Sequence, residues 1–199
     1  MSDVLDYYVF PTSPFVYLGH QAFCDLVRAR GVSVALKPID LGRVFPVSGG
    51  LPLKQRAPQR QAYRLVELQR WARYRGLPLN PHPKHFPVAG DTAALWLLAA
   101  AERNADDGLR LLGAIGRAAW AEDRDVADPA ILHGLAASLG LDAARLAERA
   151  NAPDTRVHYD SLTQEAIDRG VFGVPTYVLN GEMFWGQDRL DFLARALAQ

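Results

Sequence analysis

Strand-like runs fall only at the two ends of this 199-residue chain, and that limits what it can build. Near the start, residues 4–10 (Val-Leu-Asp-Tyr-Tyr-Val-Phe) form an apolar and aromatic run that reads as a strand. Residues 17–30 follow with Leu18, Ala22, Leu26 and Ala29 at near-helical spacing, and Gly31 stands where a helix C-cap belongs. Residues 32–39 alternate as a second strand, with Pro38 marking its end or an edge. Such a βαβ unit pairs its strands in parallel through a right-handed crossover. At the far end, residues 175–179 read as a strand, Asn180-Gly181 as a two-residue hairpin turn and residues 182–185 as its partner. Gly186-Gln187-Asp188-Arg189 then opens a last helix over residues 190–197. The two flanks together predict one four-stranded mixed sheet with helices packed on it.

The middle of the chain predicts helices in series. Residues 44–58, with Gly49, Gly50, Pro46, Pro52 and Pro58, read as a long loop. Pro58 suits the first turn of a helix that ends near Gly76 and carries Leu65, Leu68, Trp71 and Ala72 on one side. Residues 77–87 form another proline-rich loop. Asp91 is expected to cap a helix over 92–103, apolar nearly all round and therefore central. Further helices are expected over 109–121, over 130–139 (opened by Asp128-Pro129 and stopped by Gly140), over 142–150, and over 154–169 before Gly170.

Composition narrows the function. Lys plus Arg and Asp plus Glu both number 22, so there is no overall pull toward nucleic acid or an anionic membrane. Cys24 is the one cysteine, which excludes an internal disulfide and a thiolate metal cluster. Met1-Ser2-Asp3-Val4 shows no basic region followed by an apolar one, and the longest apolar run, 93–101, is far short of a membrane span. A cytoplasmic protein is expected.

The turn Phe10-Pro11-Thr12-Ser13-Pro14-Phe15 carries a hydroxyl from the end of a strand to the start of a helix. Backbone N–H groups point outward there and the helix dipole favours negative charge. Ser13 is thus either a helix cap or the donor to a bound anion. Cys24 reads as a small buried apolar residue. Seven basic residues against one acid over 54–75 read mainly as a solvated helix face, with Lys54 and Arg56 the better candidates for attracting a carboxylate. His82 and His85 share a proline-rich loop without a third ligand to complete a metal site.

Ser13-Pro14-Phe15-Val16-Tyr17-Leu18 resembles the Ser-Pro-aromatic motif of the kappa-class glutathione transferases and their relatives, the 2-hydroxychromene-2-carboxylate isomerases. Val171-Phe172-Gly173-Val174-Pro175-Thr176 resembles the cis-proline segment of that superfamily, and Trp185-Gly186-Gln187-Asp188-Arg189-Leu190 the isomerases' Trp-Gly-x-Asp-Arg-Leu signature. Asp40-Leu41-Gly42-Arg43-Val44 and residues 67–74 extend the resemblance along the chain. It implies a thioredoxin-like fold of DsbA type, with residues 1–42 and 171–199 forming the thioredoxin-like domain and 43–170 a loop and inserted all-helical domain.

The resemblance further implies a glutathione-dependent cis–trans isomerase of an aromatic α-keto acid, of the 2-hydroxychromene-2-carboxylate kind. The partner is then a small aromatic carboxylate, and a homodimer is expected. Ser13 matches the serine that hydrogen-bonds the glutathione sulfur. Val174, before Pro175, matches the residue whose backbone pairs with the cysteinyl unit. Asp188 matches the acid that meets the γ-glutamyl amine, and Arg189 follows it at the helix start. The family's asparagine in the loop after the second strand has no counterpart in Gly49-Gly50-Leu51-Pro52-Leu53-Lys54-Gln55-Arg56, where Lys54 or Gln55 is the expected substitute. A DsbA-type thiol–disulfide reaction is excluded, because Val16 stands where a second cysteine would be needed. The alternatives within the resemblance are a kappa-like transferase or peroxidase and a non-catalytic glutathione-binding protein.

Overall fold

The computed structural model describes residues 4–198; Met1 to Asp3, part of the segment that reads as lacking a signal peptide, and Gln199 lie outside the described residues. β1 (Val4–Val9) leads through a short turn into α1 (Pro14–Arg30) and on to β2 (Ser33–Pro38). β1 and β2 pair in parallel, from Val4 opposite Ser33 to Val9 opposite Pro38. β3 (Thr176–Leu179) lies antiparallel to β1, and β4 (Glu182–Trp185) antiparallel to β3. The sheet order is β2-β1-β3-β4, a thioredoxin-like mixed sheet. Asn180 and Gly181 turn the last hairpin with φ of 50° and 87°, the left-handed pair that a two-residue loop needs.

Helices cover both faces of the sheet, so β1 is buried on both sides. Its alternating side chains divide between two cores. Leu5, Tyr7 and Val9 pack with Leu18, Phe23 and Val27 of α1. Tyr8 faces the other way, with Ile39, Tyr159 and Leu162.

Between the flanks run α2 (Leu41–Ser48), a short 3₁₀ turn (Leu53–Gln55), α3 (Pro58–Arg75), α4 (Asp91–Arg103), α5 (Ala105–Ala121), α6 (Pro129–Ser138), α7 (Ala143–Ala150) and α8 (Pro153–Asp168). The last helix, α9 (Leu190–Ala196), follows β4. As its composition predicts, α4 is central: Trp96, Leu97 and Leu98 are buried, and it packs on α5, α7 and α8.

Two expectations are corrected here. The stretch expected to be loop from Val44 begins inside a helix. Asp40 accepts a 2.7 Å hydrogen bond from the Gly42 N–H and so caps α2, Gly49 ends it with φ of 76°, and buried Val44 anchors it in the core. Pro46 sits inside this helix, which is short enough to lose one backbone hydrogen bond. Asp91, expected as a cap, is instead the first residue of α4; Gly90 precedes it, and the carboxylate accepts a 3.0 Å hydrogen bond from the Tyr159 hydroxyl of α8.

Candidate active site

Ser13 ends the turn after β1 with extended backbone, φ −74° and ψ 125°. Its N–H donates to the Phe10 carbonyl at 2.9 Å, and its carbonyl accepts from the Tyr17 N–H at 3.1 Å. The hydroxyl oxygen accepts from the Val16 N–H at 3.4 Å, a long cap bond. A hydroxyl that only accepts keeps its O–H to give. No acceptor takes that proton among the described residues, and none takes the Phe15 N–H. α1 therefore presents a hydroxyl and a backbone donor at the positive end of a 17-residue helix. Cap and anion donor prove compatible: Ser13 does the first and is free for the second.

The sheet brings the other expected residues to the same edge. Because β3 runs antiparallel to β1, the start of β3 lies beside the end of β1, with Thr176 opposite Tyr8. Just before Thr176, the Val174–Pro175 peptide bond is cis. Val174 is half-buried and makes no backbone hydrogen bond among the described residues. The Pro175 carbonyl accepts from the Gly186 N–H at 2.9 Å, and the Thr176 hydroxyl donates to the Gly173 carbonyl at 2.7 Å. β4 ends at Trp185 opposite Thr176, so Gly186 to Arg189 emerges at this edge too. The Asp188 carboxylate and Arg189 guanidinium pair at 3.0 Å, both partly exposed. Neither side chain caps α9.

Two tethers hold the Gln187 segment. Arg75, at the end of α3, donates to the Gln187 carbonyl at 3.3 Å. On the other side Gly19 of α1 approaches so closely that an added Cβ would lie 2.5 Å from Gln187 Cβ. Lys54 and Gln55 are not gathered in this way. They are exposed on the 3₁₀ turn, and their side chains make no hydrogen bond or ion pair with any of these residues. Arg56 is engaged locally: its Nε donates to the Leu51 carbonyl at 2.8 Å and its guanidinium lies over Phe45.

The helical block supplies two residues that the sequence did not single out, Trp120 and Arg64. Trp120 of α5 is buried, and its indole N–H donates to the Thr12 carbonyl at 3.2 Å. Asn80, in the proline-rich loop, donates its N–H to the Trp120 carbonyl at 2.7 Å, and the Tyr17 hydroxyl donates to the Pro78 carbonyl at 2.8 Å. Arg64 of α3 stacks over Phe86 and Trp120. A tryptophan in an apolar helix reads simply as core, and an arginine among seven basic residues as surface; neither pattern signals this use. Cys24 is half-buried on α1, and burial pushes its thiol up to about 11, away from thiolate chemistry. A groove of about 400 Å³ runs beside β4 and α9, lined by Trp185, Arg189 and Phe192 among others; it reaches Arg189 but not Ser13.

The chain matches the DSBA-like thioredoxin domain over residues 4–198. It is 32% identical to a 2-hydroxychromene-2-carboxylate isomerase of Sphingobium xenophagum over 195 residues, 97% of each chain. A kappa 1 glutathione S-transferase of Caenorhabditis elegans is 23% identical over 98% of this chain and 91% of its own. A solved structure of a 2-hydroxychromene-2-carboxylate isomerase superposes with a TM-score of 0.81 at 28% identity, covering 98% of this chain and 94% of the other.

Proposed function

The chain belongs to the 2-hydroxychromene-2-carboxylate isomerase family of DSBA-like thioredoxin domains, and from that premise we propose that it is a glutathione-dependent cis–trans isomerase of an aromatic α-keto acid. The donor set suits glutathione. Val174 offers an unpaired backbone to the cysteinyl unit, and the Asp188–Arg189 pair offers one charge to each end of the γ-glutamyl zwitterion. Bound there, glutathione would supply a thiolate nucleophile, whose reversible addition to the conjugated system would allow the double bond to rotate.

Ser13 carries the reading. Its hydroxyl has a proton to give, at a helix N-terminus, on the edge that also bears Val174 and Asp188. The helix dipole contributes roughly 0.3–2 kcal/mol, on the order of one pKa unit. A hydrogen bond from Ser13 to the sulfur would supply part of the rest of the thiol's activation. A serine serves where a cysteine would form a mixed disulfide. Residues 1–42 and 171–199 hold the tripeptide in this reading, and residues 43–170 supply the wall facing the substrate.

The test is the equilibration of 2-hydroxychromene-2-carboxylate followed by absorbance, with and without glutathione. Acceleration that depends on both protein and glutathione is expected; none would overturn the assignment. The kappa 1 relative supports a second reading, transfer of glutathione to an electrophile. The two separate cleanly, since isomerisation leaves the glutathione concentration unchanged and transfer consumes it.

A further inference from the structure

Arg64 is a half-buried cation without an anion. Its guanidinium carbon lies 5.3 Å from the Phe86 ring centre and 5.7 Å from that of Trp120. The two rings are 4.8 Å apart and inclined at 51°, so they form a bent aromatic wall under the guanidinium. Among the described residues no carboxylate pairs with Arg64, and no acceptor takes any of its N–H groups.

Lys37 and Arg149, also partly buried, are each given carboxylates, and Arg75, which has none, at least donates to the Gln187 carbonyl. Lys37 meets Asp6 at 2.9 Å and Glu165 at 2.7 Å, and Arg149 meets Glu102 and Asp154. Arg64 instead has a second cation, Arg56, as its charged neighbour; burial and then that neighbour bring its pKa down to about 10, so it stays charged at neutral pH. A desolvated guanidinium without a counter-charge is costly unless a ligand supplies one. Its planar fork of donors matches a carboxylate held by two parallel hydrogen bonds. The position links to the reaction edge through Trp120, whose indole N–H holds the carbonyl of Thr12, the residue before Ser13.

We propose that Arg64 is the specificity-determining residue that receives the carboxylate of an aromatic acid substrate, with partly exposed Phe86 against its apolar part and buried Trp120 as the floor under the guanidinium. This rests on the Ser13 edge being the reaction site. It places substrate recognition on α3, while Arg56, the better candidate by sequence, is tied to the Leu51 carbonyl.

The experiment is calorimetric binding of trans-benzylidenepyruvate and its methyl ester to the glutathione-loaded protein, as wild type, Arg64→Gln and Arg64→Lys. Circular dichroism and glutathione affinity serve as checks on folding. Wild type is expected to prefer the acid over the ester by about 10- to 100-fold, the range of a charged hydrogen-bonded contact. Arg64→Gln is expected to abolish that preference and leave glutathione affinity unchanged. Arg64→Lys keeps the charge without the fork and should retain only part of the preference, which decides the matter if the glutamine variant does not fold. No preference in wild type, or an undiminished preference in a folded variant, overturns the proposal. The outcome is separable from the isomerase assignment. An Arg64-dependent acid preference without glutathione-dependent acceleration sinks the isomerase and keeps this anchor. Acceleration without an acid preference does the reverse.

Discussion

The Trp120 indole N–H reaches the Thr12 carbonyl at 3.2 Å across 108 residues of sequence, so α5 directly holds the turn that presents Ser13. Trp120→Phe keeps an aromatic ring but leaves a small cavity and a buried carbonyl without its donor. We expect a loss of about 1–3 kcal/mol in urea unfolding. A fall in turnover at saturating glutathione is also expected, because the Ser13 turn loses a support. Unchanged turnover in a folded variant would show that the turn positions itself.

The contact of Gly19 with Gln187 makes a second test. A methyl group at position 19 would meet Gln187 Cβ at 2.5 Å and Gln187 Cα at 3.2 Å, so either α1 or the Asp188 segment must move. Gly19→Ala is therefore expected to destabilise by about 1–3 kcal/mol. Weaker glutathione binding should accompany it, since Asp188 and Arg189 follow directly. Wild-type glutathione affinity would mean that this segment does not hold the tripeptide.

Much of this arrangement is legible in sequence because it is written locally. Ser13-Pro14, Gly31, Asp128-Pro129 and Asn180-Gly181 each use one or two residues whose backbone preferences decide the turn or cap, and all serve as expected. α2 is hidden in the sequence because glycine and proline density outweighs the cap supplied by Asp40. The cluster proposed to meet the substrate is illegible for a different reason. Arg64, Phe86 and Trp120 belong to three separate segments, and only tertiary packing makes them neighbours. Nothing in the spacing of basic residues along α3 distinguishes Arg64 from Arg60. The asparagine expected from the resemblance has no replacement that side-chain contacts single out, because Lys54 and Gln55 both stand exposed.

His20 gives a prediction in pH. It is buried in α1, its Nε2–H donates to the Leu109 carbonyl at 2.9 Å, and Nδ1 faces the Tyr7 hydroxyl. Burial lowers its pKa to about 4, with the bond to Leu109 opposing in part. The unfolded chain binds the proton near pH 6.5 and the folded one only near pH 4, so the neutral ring's stabilising contribution is present above about pH 6.5 and is lost as the pH falls to about 4. The full shift corresponds to about 3 kcal/mol. In urea melts between pH 7 and pH 4, His20→Gln should show a flatter dependence than wild type. Parallel curves would contradict this assignment.

The most direct measurement is the titration of the glutathione thiol bound to the protein, read from the ultraviolet absorbance of the thiolate, in wild type and in Ser13→Ala. The account predicts that the bound thiol ionises well below the ordinary value of about 8.5 in wild type. In Ser13→Ala it should move back toward that value, with the fold intact and most of the turnover gone. The same thiol pKa in both proteins would contradict the account and leave Ser13 as a helix cap alone.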